Sequence, residues 1–149
     1  MTRDTVLALC GPVLDRLRTL DAAAPHAAAF ALQELDLGPL ESALRAWHAT
    51  GEATPKEQDG VRFGRLAKTT DQGFSIDVVD MAGPATGAHT HTRGEFDLCF
   101  TLEGAPRFDG RAPGWVVYPP GSRHMPTVTG GRMLILYFLP GGAIVFDPA

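Results

Sequence analysis

Apolar residues follow two different periods along this chain, and the change of period divides it. Up to about residue 50 they recur at three- and four-residue spacing with few β-branched residues, which predicts helices. The clearest helix begins at Pro39 and stops at Gly51. It puts Leu40, Ala43, Leu44 and Trp47 on one face and pairs Glu41 with Arg45 one turn apart. Val13, Leu14, Leu17 and Leu20 form a similar stripe. A third helical segment, over residues 27–35, carries Phe30 and Leu35 as its large apolar anchors. Residues 52–60 are polar, contain Pro55 and read as a boundary. From residue 61 the period becomes two, with short runs at 61–67, 74–80, 95–102, 115–118 and 132–139, each closed by a Gly- or Pro-containing turn. Several short strands at this spacing predict an all-β sandwich or barrel behind a layer of about three helices.

Length and charge narrow this picture. With 149 residues the chain is expected to form a single domain, 1–149, in which 1–52 is the helical layer and 61–149 the barrel. A formal charge of -4 and the lack of any Lys/Arg cluster exclude a nucleic-acid partner. No apolar run approaches the roughly 20 residues needed to span a bilayer. The apolar run at residues 6–9 follows Asp4 and is interrupted by Gly11-Pro12, unlike a secretion signal, so a cytoplasmic protein is expected. Cys10 and Cys99 lie far apart, which predicts buried reduced thiols instead of a disulfide framework or zinc ribbon.

The chemistry concentrates in two short segments. His89 and His91 stand at i and i+2 and so share a face of a strand, and Glu95 can return to that face after the Thr92-Arg93-Gly94 turn. His124 follows a Pro-Gly turn in the segment that begins at Gly114. Three neutral imidazoles and one carboxylate suit one divalent transition metal, Fe, Mn, Co, Ni or Zn, and leave coordination positions open for substrate. His26 and His48 have no ligand-type neighbours and read as exposed or helix-packing residues. If Glu95 points inward, alternation sends Asp97, Cys99 and Thr101 inward too. Phe96, Leu98, Phe100 and Leu102 then face outward, where the helices or a second protomer must cover them. Asp97 would lie near the metal as an acid or base, the alternative being a surface carboxylate. Arg93, Arg107 and Arg123 flank the ligand segments and are candidates to hold a substrate carboxylate, each weighed against an ordinary solvated arginine. Tyr118 and Tyr137 are candidate pocket aromatics or simple core residues.

These segments resemble the two signature motifs of the cupin superfamily. Gly83, His89, His91 and Glu95 fit the first, and Gly114, Pro119, Gly121 and His124 fit the second. Two positions depart from the pattern: the glycine closing the first motif would be Gly104, slightly late, and Val128 replaces the usual terminal asparagine. The resemblance implies a double-stranded β-helix (jelly-roll) barrel with the metal in its mouth. The stretches Gly94 to Phe100, Pro106 to Gly110, Gly114 to His124 and Leu136 to Gly142 further resemble the 4-hydroxylaminobenzoate lyase family of nitroarene degradation. That resemblance implies conversion of a small aromatic carboxylate, 4-hydroxylaminobenzoate, to 3,4-dihydroxybenzoate (protocatechuate) and ammonia by a homodimer with no organic cofactor. Asp97 would shuttle protons and one arginine would pair with the carboxylate. Two alternatives remain open at this level: an Fe(II) dioxygenase acting on an aromatic acid or thiol, and a non-catalytic cupin that binds a small ligand.

Overall fold

The computed structural model describes residues 2–85 and 87–148. Four helices come first: α1 (Arg3–Leu9), α2 (Gly11–Leu17), α3 (Pro25–Leu32) and α4 (Gly38–Ala49). The stripe ending at Leu20 is in fact preceded by a separate short helix, α1. Pro12, which lacks an amide hydrogen, is tolerated in the first turn of α2 and separates the two. The face of α4 is as the spacing predicts, with Leu40, Ala43, Leu44 and Trp47 buried and Arg45 2.8 Å from Glu41. Phe30 is a correction. It is 74% exposed, because α3 turns Ala28 and Leu32 inward instead. No helix among the described residues is long and apolar enough to cross a membrane.

The rest is strand: β1 (Lys56–Gln58), β2 (Val61–Ala67), β3 (Phe74–Met81), β4 (His89–His91), β5 (Glu95–Phe108), β6 (Gly114–Tyr118), β7 (Ser122–His124), β8 (Val128–Pro140) and β9 (Val145–Phe146). They form two sheets, one of six strands in the order β1-β2-β3-β8-β5-β6 and one of three in the order β7-β4-β9. The fold is therefore mainly β, a cupin-type jelly roll of two facing sheets, not a hydrogen-bonded closed cylinder. Strands β5 and β8 run well beyond the lengths their apolar patterns predict. Register shifts after Thr101 and Gly104 carry the pairing through the bends. Glycines make this possible: a Cβ on Gly131 would meet the Glu103 carbonyl oxygen at 2.0 Å.

Alternation along β5 settles which face is which. Phe96, Leu98 and Phe100 join Leu134, Leu136 and Phe138 of β8 in one apolar cluster with Val13, Leu17, Leu44 and Trp47 of the helices. The helical layer thus covers the outer face of the large sheet. Cys99 instead joins Met133, Ile135, Val116 and Tyr137 on the inner face, and both cysteines are free and buried. Polar ties pin the layer in place. Arg45 donates to the Thr101 carbonyl at 2.8 Å, and the buried Asp80 is bound by His48 at 2.8 Å and Arg132 at 2.7 Å. His48 is therefore a helix-packing residue, and His26 is exposed.

Candidate metal centre

Strand β4 presents both its histidines on one face, and β7 pairs with it so that His124 stands directly opposite His89. A tight turn then brings the chain back to start β5 at Glu95. Gly94 makes that turn at φ 86°, where any side chain would strike the Tyr118 carbonyl oxygen at 2.8 Å. Two short strands and one turn thus bring the four sequence-predicted ligands together. Their donor atoms all lie within 4.8 Å of one another. His91 is 0% exposed and Glu95 2%, so both are withdrawn from water.

The spacing of these donors tests whether a metal fits. The Nε2 atoms lie 3.0 Å apart for His89 and His91, 3.2 Å for His89 and His124, and 2.8 Å for His91 and His124. Glu95 Oε2 stands 3.0 Å from His91 Nε2. Metal–nitrogen bonds of about 2.1 Å at right angles put neighbouring donors about 3.0 Å apart, whereas a tetrahedron would put them about 3.4 Å apart. Donors this close together fit one divalent transition metal held by four protein ligands, with Glu95 Oε1 and His124 Nε2 more widely spaced at 3.9 Å. Burial, followed by the charges of the neighbouring imidazoles, pushes His89 down to about 4. It is therefore neutral near neutral pH, the form that ligates.

Around the ligands lie three groups of different standing. Asp109, to which sequence reasoning gave no role, accepts from His124 Nδ1 at 2.8 Å and from the Tyr118 hydroxyl, while its other oxygen accepts the Thr127 amide at 2.9 Å. It fixes the tautomer of His124 so that Nε2 offers its lone pair to the centre. Burial would raise the Asp109 carboxyl, but the bonds from His124 and Tyr118 outweigh it and hold it low and ionised. The available signal was the Asp109-Gly110 turn within a family-like stretch, where Asp109 takes φ 48°. Replacing Asp109 with alanine is expected to weaken metal binding roughly 10- to 100-fold, measured by competition with a chromogenic chelator. Unchanged affinity would leave Asp109 as a turn residue only.

Tyr118, a candidate pocket aromatic, packs its ring 4.3 Å centre to centre from that of His124 and gives its hydroxyl hydrogen to Asp109. Asp97 is fully buried, not at the surface. Burial, then the adjacent Glu95 charge, push it well above the ordinary carboxyl range. Burial would also raise Glu95, but the neighbouring Asp97 carboxyl and His91 imidazole hold it low. Neither Asp97 oxygen meets an N–H or O–H donor. A proton carried on Asp97 and shared with Glu95 is what relieves two opposed charges in this setting.

From the cluster a cleft of about 590 Å³ opens between the two sheets, with His89 and Glu95 in its wall. Much of its wall is apolar, with Val61, Phe63, Val79, Leu139, Ile144 and Phe146 lining it. Tyr137 also faces it. The only hydrogen-bond partner of its hydroxyl among the described residues is the Met81 thioether, at 3.8 Å. The three arginines singled out in the sequence are not in the cleft. Arg93 lies against the backbone at Gly141, Arg107 bonds the Gly110 carbonyl at 3.3 Å, and exposed Arg123 is bound to Asp147. The cationic residues that do line it are Lys56 and Arg65 on β1 and β2, the first in the segment read as a boundary.

This is a cupin jelly roll whose four clustered side chains could hold a metal ion. Its residues 28–146 match the family model described as 4-hydroxylaminobenzoate lyase. The chain belongs to the 4-hydroxylaminobenzoate lyase family. It is 37% identical over 108 residues to a 4-hydroxylaminobenzoate lyase of Nocardioides sp. (strain LMS-CY), an alignment covering 65% of this chain and 64% of that protein. With the enzyme of the same name from Pseudomonas putida it shares 33% identity over 63 residues, 40% of this chain and 36% of the relative. The chain thus spans about two thirds or less of the length of these relatives. Among solved structures it is similar to an RmlC-like cupin protein from Ralstonia eutropha JMP134 (TM-score 0.46, 18% identity), over 61% of this chain and 62% of that one.

Proposed function

We propose that this site converts 4-hydroxylaminobenzoate and one water into 3,4-dihydroxybenzoate and ammonia. The observation that carries the reading is the gathering of three imidazole nitrogens and one carboxylate in the wall of an apolar cleft that would hold a single aromatic ring. The names of the two relatives support the same substrate. His89, His91, Glu95 and His124 would hold one divalent transition metal, Fe, Mn, Co, Ni or Zn, with positions left open for substrate. That metal would supply Lewis acidity toward the N-hydroxyl oxygen.

The chain's own residues do the rest. Val79, Leu139 and Phe146 would exclude water from the ring faces and orient it edge-on to the cluster. Tyr137, kept protonated by burial and then by the nearby carboxyl groups, offers its hydroxyl hydrogen to the substrate in place of the thioether it now meets. Asp97 stands on the same face of β5 as Glu95 and, carrying a proton, would give it to the departing nitrogen and regain one from the incoming water.

The direct test is anaerobic incubation of the metal-loaded protein with 4-hydroxylaminobenzoate, following ammonium and 3,4-dihydroxybenzoate. Equal amounts of both without oxygen are expected. Product formed only in air would replace this reading with a dioxygenase on the same ligands. No product under either condition would remove this substrate.

A further inference from the structure

The cleft has a second polar end, opposite the metal ligands. Lys56 pairs with Phe63 and Gln58 with Val61 across β1 and β2. Directly opposed residues of an antiparallel pair share a face, so Lys56 and Gln58 emerge on the face of Val61, Phe63 and Arg65. All five line the cleft. Arg65 is already bound to Asp77, 2.9 Å away, and Asp77 lines the same wall. Those two charges offset each other. Lys56 makes no ion pair among the described residues. This end of the cleft therefore carries one net positive charge, on a protein whose formal charge is -4.

Its distance from the ligands is set by the sheet. In the order β1-β2-β3-β8-β5, strand β1 stands four steps and β2 three from the strand bearing Glu95. At about 4.8 Å per step the backbones are about 14–19 Å apart before curvature, and side chains reach in from both sides. Val61, Phe63, Val79 and Leu139 supply apolar wall to the same cleft, against which an aromatic ring could lie.

We propose that Lys56 is the anion anchor of this cleft: it holds the carboxylate of a para-substituted aromatic acid so that the opposite substituent faces His89, His91, Glu95 and His124, with Arg65 beside it as a secondary partner. The proposal rests on the lyase reading for the identity of the reacting group, though not for the acid itself. It makes Lys56 a specificity residue, selecting monoanionic aromatic acids over their neutral counterparts. It also explains why none of the arginines near the ligands is needed for that task.

The experiment measures binding of 4-hydroxybenzoate and of 4-hydroxybenzamide to the metal-loaded protein by calorimetry, for wild type, Lys56→Ala and Lys56→Arg. Lys56 is exposed on β1, so wild type should prefer the acid by about two- to fivefold, the scale of an exposed charge-assisted contact. Lys56→Ala should erase most of that preference and Lys56→Arg restore it. A preference that survives in Lys56→Ala, or a wild type that does not prefer the acid, overturns the proposal. Turnover of 4-hydroxylaminobenzoate is read separately. If wild type binds the acid through Lys56 yet makes no product, the anchor stands and the lyase reading falls.

Discussion

Replacing His91 with alanine is expected to leave the purified protein without retained metal and to lower turnover of 4-hydroxylaminobenzoate at least about a thousandfold. His91 sits at the centre of the cluster, 0% exposed, with its Nε2 within 3.0 Å of His89, 2.8 Å of His124 and 3.0 Å of Glu95. No other ligand is that close to all the rest, so its loss removes the donor nearest to the other three. A Lewis-acidic ion contributes several kcal/mol to stabilising developing charge, and each 1.36 kcal/mol is about tenfold in rate. The fold should tolerate the change, because it removes one of three crowded imidazoles and leaves the β4–β7 backbone pairing untouched. Metal analysis of the purified variant checks the first half. Thermal melts with and without chelator check the second: wild type should lose stability on chelation and the variant should not respond. His26→Ala, on the exposed side of α3, serves as the control and should match wild type in both. A variant that keeps one metal per chain would remove His91 from the ligand set.

The parts of this protein that were legible in its sequence are those in which a local period decides a long-range outcome. Glu95, Phe96, Asp97 and Leu98 alternate between two environments, and period-two geometry alone sorts them before any partner is known: Asp97 and Cys99 inward, Phe96, Leu98 and Phe100 toward the helices. The same holds for the His89 and His91 pair. The face of α4 follows from its 3.6-residue period. Phe30 misled because a stretch rich in alanine gives a helix two plausible inner faces. The small Ala28 lets α3 approach β6 closely, and the larger Phe30 turns to solvent.

What the sequence hid depends on which strands lie side by side. Arg93, Arg107 and Arg123 are close in sequence to the ligands, yet they are not among the residues lining the cleft: Arg93 falls in the turn before β5, Arg107 near the far end of β5 and Arg123 beside His124 on the exposed side of β7. Lys56 is distant in sequence and reaches the cleft only because β1 extends the sheet edge beyond β2. A three-residue polar strand containing Lys, Glu and Gln has no apolar alternation to reveal it. Asp109 is of the same kind, a turn aspartate like many others until the β6–β7 return brings His124 and Tyr118 onto it.

Replacing Asp97 with asparagine is expected to preserve metal content and fold while lowering turnover about a hundredfold, the usual scale for a positioned proton carrier. Asparagine matches the carboxyl group in size, so the site, 0% exposed and packed on the inner face of β5, should not collapse or gain a cavity. It also brings no charge beside Glu95, and so adds no repulsion to the ligand set. What it lacks is the ability to take up and release a proton between the nitrogen that leaves and the water that replaces it. A purely structural Asp97 would make the opposite prediction, with a lowered melting temperature or weaker metal retention and, once loaded, near-normal turnover. Measuring metal content, melting temperature and rate on the same preparation separates the two. Loss of rate alone places Asp97 in the chemistry, whereas loss of metal with normal rate per metal assigns it to holding Glu95.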